Sequence, residues 1–163
     1  MAAEYRVVRE LHVGAPPAVV YERLVDLRRW RGWSPYEDLD PDMRRTCSGA
    51  GSGVGAVYEW SGDLKAGAGR LEVVEAVPDE RVVVEQQNLK PLRSRSTTVL
   101  ELEETDAGTR VTWAVTGRLT PLTRVMGLVA PMEKLLGPMH EKGLARLRDE
   151  VEGARPAGGP SSS

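Results

Sequence analysis

The chain has 163 residues, of which 40% are hydrophobic and 28% are charged, a composition that predicts one globular domain rather than a disordered chain. Its net charge of -2 leaves no excess of cations to neutralise a run of phosphates, which argues against a nucleic-acid binder. The single cysteine, Cys47, excludes an internal disulfide and a cysteine-rich zinc site, and we predict no metal site and no cofactor.

Both ends of the chain lack features of a membrane or secreted protein. Residues 1–10 have no apolar core of a signal peptide, and no apolar run reaches the ~18 residues that span a bilayer. We therefore expect a cytoplasmic protein without stable membrane insertion. Residues 153–163 are rich in Gly, Pro and Ser and predict a disordered tail, which leaves residues 1–152 as a single domain.

The first predicted elements are one strand and two short helices. Residues 5–13 are rich in β-branched side chains and alternate in polarity, which indicates a strand. Residues 14–17 interrupt it with glycine and proline, and proline is tolerated in the first turn of a helix. Apolar residues at helical spacing predict a short helix over 18–27, and residues 28–36 predict a second short helix or turn.

The middle of the chain predicts an antiparallel meander. Candidate strands cover residues 42–48, 53–60, 69–77, 81–89, 94–103 and 109–116. Turn-forming residues at 61–63, 78–80, 90–91 and 106–108 separate the later strands. Separators this short connect neighbouring strands as hairpins, so the strands are expected to lie side by side.

The last predicted element is a long helix within residues 120–152, where apolar residues recur every three or four positions. Pro131 and the pair Gly137-Pro138 predict kinks or a broken start, and the cleanest helix is expected from Met139 onward. A curved sheet would pack its apolar concave face on this helix. Because a bent sheet cannot contact a straight helix along its whole length, we expect a cavity between them.

Several short motifs accompany this order of elements. They are APP at 15–17, WRGWSP at 30–35, GVG at 53–55 leading into YEWSG at 58–62, GAGR at 67–70, LKP at 89–91, GTRVTW at 108–113 and EKGL at 141–144. Together they resemble the START-like or SRPBCC superfamily, of the polyketide cyclase/dehydrase type, over residues 5–152. The resemblance implies an α+β helix-grip fold, in which a curved antiparallel sheet of about seven strands surrounds a long C-terminal helix and two short helices follow strand 1.

The same resemblance implies an enclosed apolar pocket and a small hydrophobic or aromatic ligand. Members of this superfamily include lipid carriers, hormone receptors and aromatase/cyclases, so it does not choose between binding and chemistry. Three readings therefore stay open. One is a binding module that carries, sequesters or senses such a molecule, and another is a cofactor-free polyketide cyclase- or dehydratase-like enzyme. The third is a structural or partner-binding domain with a filled core, which a structure without a cavity would favour. The protein is expected to be a monomer or a homodimer.

Alternation along the strands predicts which side chains face the cavity. Tyr58 and Trp60 share the inner face of their strand, and Trp113 has the same orientation on the last strand. Gln86 and Asn88 share the face of apolar neighbours, and a buried amide without a partner costs ~1–3 kcal/mol. These two amides therefore need a neighbour, a water or a ligand, unless they lie wetted at the open end of the sheet.

The apolar stripe of the long helix carries two titratable residues. His140 is either a titratable donor, acceptor or general base inside the pocket, or a neutral core histidine hydrogen-bonded to a backbone carbonyl or a water. Glu133 shares the stripe, but seven residues of helix separate the two by ~10.5 Å, so their pairing would need a water or a ligand. Trp30 and Trp33 either form a wall at the pocket mouth or fasten the short helices to the sheet.

The sequence thus predicts one candidate catalytic residue, His140, which would act as the acid/base of the enzyme alternative. The candidate ligand-binding residues combine the inner-face side chains of the strands, the aromatic residues of the short helices and the stripe of the long helix. They are Trp30, Trp33, Tyr58, Trp60, Gln86, Asn88, Trp113, Met132, Glu133, Leu136 and His140.

Overall fold

The computed structural model describes residues 4–90, 93–118 and 129–153, which form one sheet, several short helices and one long helix. The strands are β1 (Glu4–Val13), β2 (Arg44–Gly49), β3 (Ala56–Ser61), β4 (Ala68–Val77), β5 (Arg81–Lys90), β6 (Ser94–Thr105) and β7 (Gly108–Arg118). The helices are α1 (Pro17–Val25), two 3-10 helices (Leu27–Gly32 and Pro35–Asp38) and α2 (Val129–Gly153).

The seven strands form one antiparallel sheet in the order β1-β7-β6-β5-β4-β3-β2. Each strand from β2 to β6 pairs with the next strand along the chain, as the short turns predict. β1 pairs with β7 instead, so the segment containing α1 crosses from one edge of the sheet to the other. This arrangement confirms the predicted α+β helix-grip fold.

Two tryptophans fix the end of α1. The last carbonyls of a helix lack intrahelical partners, and here the indole of Trp30 donates to the Leu24 carbonyl at 2.9 Å. The indole of Trp33 donates to the Arg23 carbonyl at 3.3 Å. These bonds fold the 3-10 helix Leu27–Gly32 back against α1 and bring both rings into the interior.

The predicted second short helix is two 3-10 helices in the structure. The Ser34 side chain accepts from the Tyr36 N–H at 3.4 Å, and Pro35 starts the new turn in the first helical position. Pro35 therefore begins a second element inside the range that was predicted as one short helix or turn. This break points Trp33 and Tyr36 at different parts of the interior.

α2 is one continuous helix that already includes Pro131 and runs on through Gly137-Pro138, so the broken start that was expected at these residues is not found. Pro138 is exposed, so water can satisfy the carbonyl that loses its intrahelical N–H partner there. Residues 119–128, which include the predicted start of this segment, lie outside the described residues. Most of the predicted tail, residues 154–163, also lies outside them, whereas Gly153 ends α2.

Among the described residues, apolar side chains fill one half of the space between sheet and helix. On α2 this half uses Leu144, Leu147 and Val151, each at most 1% exposed. Their main partners on α1 and the sheet are Val13, Val20, Leu24, Val73, Val82, Val84, Leu100 and Val111. In the other half, beside the N-terminal part of α2, the described residues do not pack in this way.

Gly143 allows α2 to approach the sheet closely. A Cβ atom at this position would lie 2.7 Å from Cδ of Pro35 and 2.9 Å from Cζ3 of Trp113, and both neighbours are rigid rings. By contrast, a Cβ atom at Gly137 would meet the flexible end of Arg9, and one at Gly153 would meet nothing within 4 Å.

We predict that Gly143→Ala lowers the free energy of unfolding by about 1–3 kcal/mol, because α2 or Trp113 must shift to admit the methyl group. Gly153→Ala is the matched control and should be neutral or slightly stabilising, since alanine favours a helix. Urea denaturation of the three proteins measures the difference. Equal stability of Gly143→Ala and the parent would contradict this close approach.

Candidate functional site

A cavity of about 360 Å³ occupies the unfilled half of the interior, between the sheet, the two 3-10 helices and the N-terminal part of α2. The side chains that α2 contributes are Met132, Leu136 and His140. Aromatic side chains from the other elements form much of the wall: Tyr5, Trp30, Tyr36, Tyr58, Trp60 and Trp113.

The cavity exists because side chains become smaller and more polar along neighbouring strands. Val84 of β5, Thr98 of β6 and Val115 of β7 form one cross-strand row. The next inward-facing row towards the cavity end is Gln86, Ser96 and Gly117. Ser96 leaves space that a bulkier core residue would fill, and Gly117 admits the Tyr5 ring, whose hydroxyl oxygen would lie 2.5 Å from a Cβ atom at this glycine.

A stack of rings separates the cavity from the packed half of the core. Trp33 contacts Trp30 with ring centroids 4.9 Å apart and meets Trp113 edge-on at 5.4 Å. Trp113 in turn lies nearly parallel to the imidazole of His140, at 4.1 Å and 15°. Such contacts add to the stability that burial of aromatic area provides. The stack thus connects the short helices, β7 and α2 through ring contacts.

His140 is fully buried in this stack and hydrogen-bonds to one partner. Its Nε2 lies 3.0 Å from the Tyr36 hydroxyl, while its Nδ1 is buried without a hydrogen-bond partner among the described residues. Burial lowers the pKa of His140 from 6.5 to about 4, and the nearby charge of Arg9 acts in the same direction. The imidazole is therefore neutral at pH 7.

Tyr36 extends this pair to the cavity wall. Burial raises the pKa of the Tyr36 hydroxyl far above its usual value of 10, so the group keeps its proton. The two neutral groups can share a hydrogen bond in either direction, depending on which imidazole nitrogen carries the proton. Both Tyr36 and His140 line the cavity.

A second polar cluster joins Tyr58 to the loop before β2. The Tyr58 hydroxyl donates to Oε2 of Glu37 at 2.6 Å, and Arg45 Nε donates to Oε1 of Glu37 at 2.6 Å. Arg45 also donates to the Met43 carbonyl at 3.0 Å. Burial, and then the Glu37 carboxylate, raise the pKa of Tyr58. Both Glu37 oxygens are thus engaged, and the cluster fixes the Tyr58 ring in the wall.

The two predicted amides satisfy each other in a short chain. Gln86 Nε2 donates to Asn88 Oδ1 at 3.0 Å, and Asn88 Nδ2 donates to the Ser94 hydroxyl at 2.9 Å. All three side chains line the cavity and are partly buried. The side-chain oxygen of Gln86, Oε1, has no side-chain partner among the described residues, so it remains available to a bound molecule.

Trp60 lies flat over a glycine of the neighbouring strand. A Cβ atom at Gly69 would come within 2.5 Å of two carbons of the Trp60 ring, so this position excludes larger residues. The indole N–H donates to the Ala66 carbonyl at 2.9 Å, which fixes the ring at the outer part of the cavity. Covering a strand glycine with an aromatic ring is a known way of stabilising a sheet.

The structure places the predicted ligand-binding residues in the cavity wall, apart from Trp33 and Glu133. Trp33 is buried behind Trp30 and fastens the short helices. Glu133 points away from His140 and pairs with Arg9 of β1 at 2.5 Å, so the two residues form no pair. Helical periodicity predicts Glu133 on the buried stripe of the helix. In the structure its ion pair with Arg9 of β1 keeps the side chain partly exposed.

Sequence reasoning missed several wall residues, among them Tyr5 and Ser96. Gly117 pairs with Tyr5 across the β1–β7 ladder, and a Cβ atom at Gly117 would lie 2.5 Å from the Tyr5 hydroxyl oxygen. The signal that could have found Tyr5 is its alternation with Val7, which is buried on the same face. The neighbouring small residues only become apparent once the strands are in register.

A larger and more open groove, about 530 Å³, lies on the outer face of the sheet. It is lined by three acidic and three basic side chains, and Arg70 pairs with Glu72 at 2.9 Å, whereas Arg118 lines both this groove and the inner cavity. Its charges are thus largely balanced across neighbouring strands. No aromatic side chain is among the described residues that line this groove, whereas small-molecule sites are typically aromatic and apolar, so the inner cavity is the candidate site.

Residues 4–152 match the family model described as polyketide cyclase / dehydrase and lipid transport, and the chain belongs to this family. No curated protein matches the chain. Within the described residues, no helix is both long and apolar enough to cross a membrane. The same part of the chain contains no group of three or more His, Cys, Asp or Glu residues placed to hold a metal ion.

Solved structures share this fold at low sequence identity. The di-domain ARO/CYC StfQ from the steffimycin biosynthetic pathway has a TM-score of 0.69 and 14% identity, covering 92% of this chain and 51% of StfQ. Protein SA2116 of unknown function from Staphylococcus aureus has a TM-score of 0.69 and 13% identity, over 94% and 96% of the two chains. Ara h 8.0201 has a TM-score of 0.58 and 14% identity, over 93% and 99%. At these identities the similarity concerns the fold alone.

The buried His140 predicts a specific dependence of stability on pH. Because the unfolded chain binds a proton more readily than the folded one, stability is complete above pH 6.5 and falls as the pH drops towards about 4. The loss is on the order of 3 kcal/mol for this one group. His140→Gln should remove this part of the pH dependence, as measured by urea denaturation between pH 7.5 and about 4.5.

His12→Gln is the matched control, because His12 is the other histidine of the chain and is exposed on β1. It should keep the pH dependence of the parent. Carboxylates that titrate in the same range are present in all three proteins, so they cancel in the comparison. If His140→Gln loses stability as steeply as the parent, the imidazole is not held neutral in the core.

Proposed function

We propose that the protein binds one small hydrophobic or aromatic molecule in the inner cavity, as a carrier, sequestering protein or sensor. The observation that carries this proposal is the cavity itself, with its aromatic wall and a few polar groups that point inward. Sites for small molecules are largely preformed and apolar, with a small number of placed polar groups. The family description, which includes lipid transport, supports the same reading.

The size of the cavity narrows the ligand class. Its volume of about 360 Å³ lies near the lower end of the ~300–1,000 Å³ range of small-molecule sites. This favours a compact molecule with one to a few rings over a lipid with two long chains. Trp60, Tyr58 and Trp113 present flat surfaces against which such rings can pack.

The polar groups of the wall would orient the ligand. The Gln86 carbonyl oxygen accepts hydrogen bonds, and the neutral Tyr36–His140 pair can accept or donate. A ligand hydroxyl or carbonyl placed near these groups would be bound in one orientation. Such a group adds specificity, because a ligand without it would leave buried polar atoms unpaired.

Filling the cavity should abolish binding without unfolding the protein. We predict that Leu136→Trp weakens binding of the fluorescent probe anilinonaphthalene sulfonate about tenfold or more, because the indole occupies the space of the ligand. Leu135→Trp is the matched control. Leu135 is the preceding residue of α2, is 60% exposed and does not line the cavity, so its variant should bind as the parent does.

Native mass spectrometry of the freshly purified parent and both variants provides an independent measurement. The parent and Leu135→Trp should carry a co-purified small molecule that Leu136→Trp lacks. Circular dichroism checks that all three proteins are folded. Equal probe affinity of the two variants, with no bound molecule on any of them, would overturn the proposal.

A second candidate function is a cofactor-free cyclase or dehydratase, which one observation favours. The Tyr36–His140 hydrogen bond at the cavity wall is the arrangement that could move a proton to or from a bound carbonyl compound. The cavity would hold a reactive chain in one conformer and so favour one ring closure. The low pKa of His140 makes the imidazole a weak base, so Tyr36 would contact the substrate and His140 would position its hydroxyl.

The enzyme alternative predicts a separation of binding from turnover. Tyr36→Phe and His140→Gln should each lower the rate of ring closure and water loss of a linear polyketide thioester by about 100-fold. Their affinity for anilinonaphthalene sulfonate should stay within about twofold of the parent. Mass spectrometry of the products measures the rate. A parent that does not exceed the spontaneous reaction, or variants as fast as an active parent, would exclude this function.

A further inference from the structure

We propose that the molecule held in the cavity is an organic anion, and that its negative group lies at the cavity mouth among Lys65, Lys90, Arg93 and Arg118. This inference rests on the proposed binding function and adds the charge of the ligand to it. All four cations line the cavity, and all four are exposed towards its open end.

The sheet register brings these residues together from distant parts of the sequence. Lys65 lies in the turn between β3 and β4, and Lys90 and Arg93 border the turn between β5 and β6. Arg118 ends β7. Antiparallel pairing places these turns and this strand end at the same end of the sheet, since Ala68 pairs with Lys90, Asn88 with Ser94, and Ser96 with Gly117.

The mouth carries an unbalanced positive charge. Among the described residues that line the cavity, Glu37 is the acidic one, and both its oxygens are already engaged by Tyr58 and Arg45. Lys65, Lys90 and Arg93 form no ion pair with any described residue. Arg118 has only a contact of 4.0 Å with Glu4.

This local charge is opposite to that of the protein as a whole. The chain has a net charge of -2, so a cluster of cations at one opening is not the result of a generally basic surface. Several arginines elsewhere are paired, for example Arg9 with Glu133 and Arg146 with Asp38. Like charges gathered at a cleft repel one another and raise the local concentration of anions, so a bound anion would stabilise the mouth.

The apolar side chains that line the cavity beside the cations indicate that the rest of the ligand is apolar. Trp60 and Leu71 lie between the mouth and the inner wall, so an anionic group among the cations would carry an apolar body past them. The chemical class is a compact amphipathic anion, such as an aromatic or alicyclic carboxylate. Lysine and arginine bind carboxylate, sulfonate and phosphate groups by the same charge-assisted hydrogen bonds.

Two fluorescent probes with the same ring skeleton test the charge requirement. Anilinonaphthalene sulfonate carries one negative charge, and phenylnaphthylamine carries none. The parent should bind the sulfonate more tightly than the neutral probe, and added salt should weaken only the sulfonate. Both probes should lose affinity in Leu136→Trp, which shows that they occupy the cavity.

The decisive variant is the double substitution Lys65→Gln, Arg93→Gln. It should weaken the sulfonate about threefold to thirtyfold, as expected for two exposed charge contacts, and leave the neutral probe unchanged. The matched control is Arg95→Gln, Lys134→Gln, which removes the same charge. Arg95 lies in the outer groove and Lys134 on an exposed part of α2 outside the cavity, so this variant should bind both probes as the parent does.

The outcomes separate this inference from the function on which it rests. Equal affinity of the parent for both probes, or equal effects of the two double variants, would overturn the anion requirement while the cavity remains a binding site. Binding of neither probe to the parent would overturn both.

A cationic mouth could also face a membrane. Co-sedimentation with phosphatidylcholine vesicles, with and without phosphatidylglycerol, tests that alternative. We expect no retention on either vesicle. Retention on the anionic vesicles that requires Lys65 and Arg93, without a preference for the anionic probe, would replace the small anion by a lipid surface and overturn the inference.

Discussion

The contact between the rings of Trp113 and His140 determines how α2 lies on the sheet. With 4.1 Å between centroids and nearly parallel planes, it joins the last strand to the helix at one level of the interior. Gly143 permits this approach, because any side chain there would meet Trp113 and Pro35. On the C-terminal side of the contact the interior is packed with aliphatic residues, and on the N-terminal side it opens into the cavity.

The cavity is a consequence of side-chain size along the strands rather than of a gap in the backbone. The sheet pairing is continuous from β1 to β2, yet the inward-facing rows change from valine and leucine to glutamine, serine and glycine. Leaving space in a protein interior costs stability that close packing would provide. The ring stack and the Glu37 cluster hold the surrounding walls in place, which limits collapse around this space.

A binding protein and an enzyme would use the side chains of the cavity wall in different ways. A neutral His140, a protonated Tyr36 and a Glu37 carboxylate engaged at both oxygens provide hydrogen bonds but no strong base. An enzyme that used this cavity would therefore depend on holding its substrate in a reactive shape more than on proton abstraction. A binding protein would use the same neutral groups for orientation. The cations at the mouth add the charge that the inner wall lacks.

The sequence by itself determined the order of elements, the antiparallel meander and the inner faces of the strands, because turn residues and the two-residue alternation of a strand are local properties. It also indicated that Trp60, Gln86, Trp113 and His140 face the interior. Only the tertiary structure decided which partners these residues have. Glu133 pairs with β1 rather than facing His140, and the cations at the mouth come from three separate segments, because such contacts depend on strand register and on the rotation of α2.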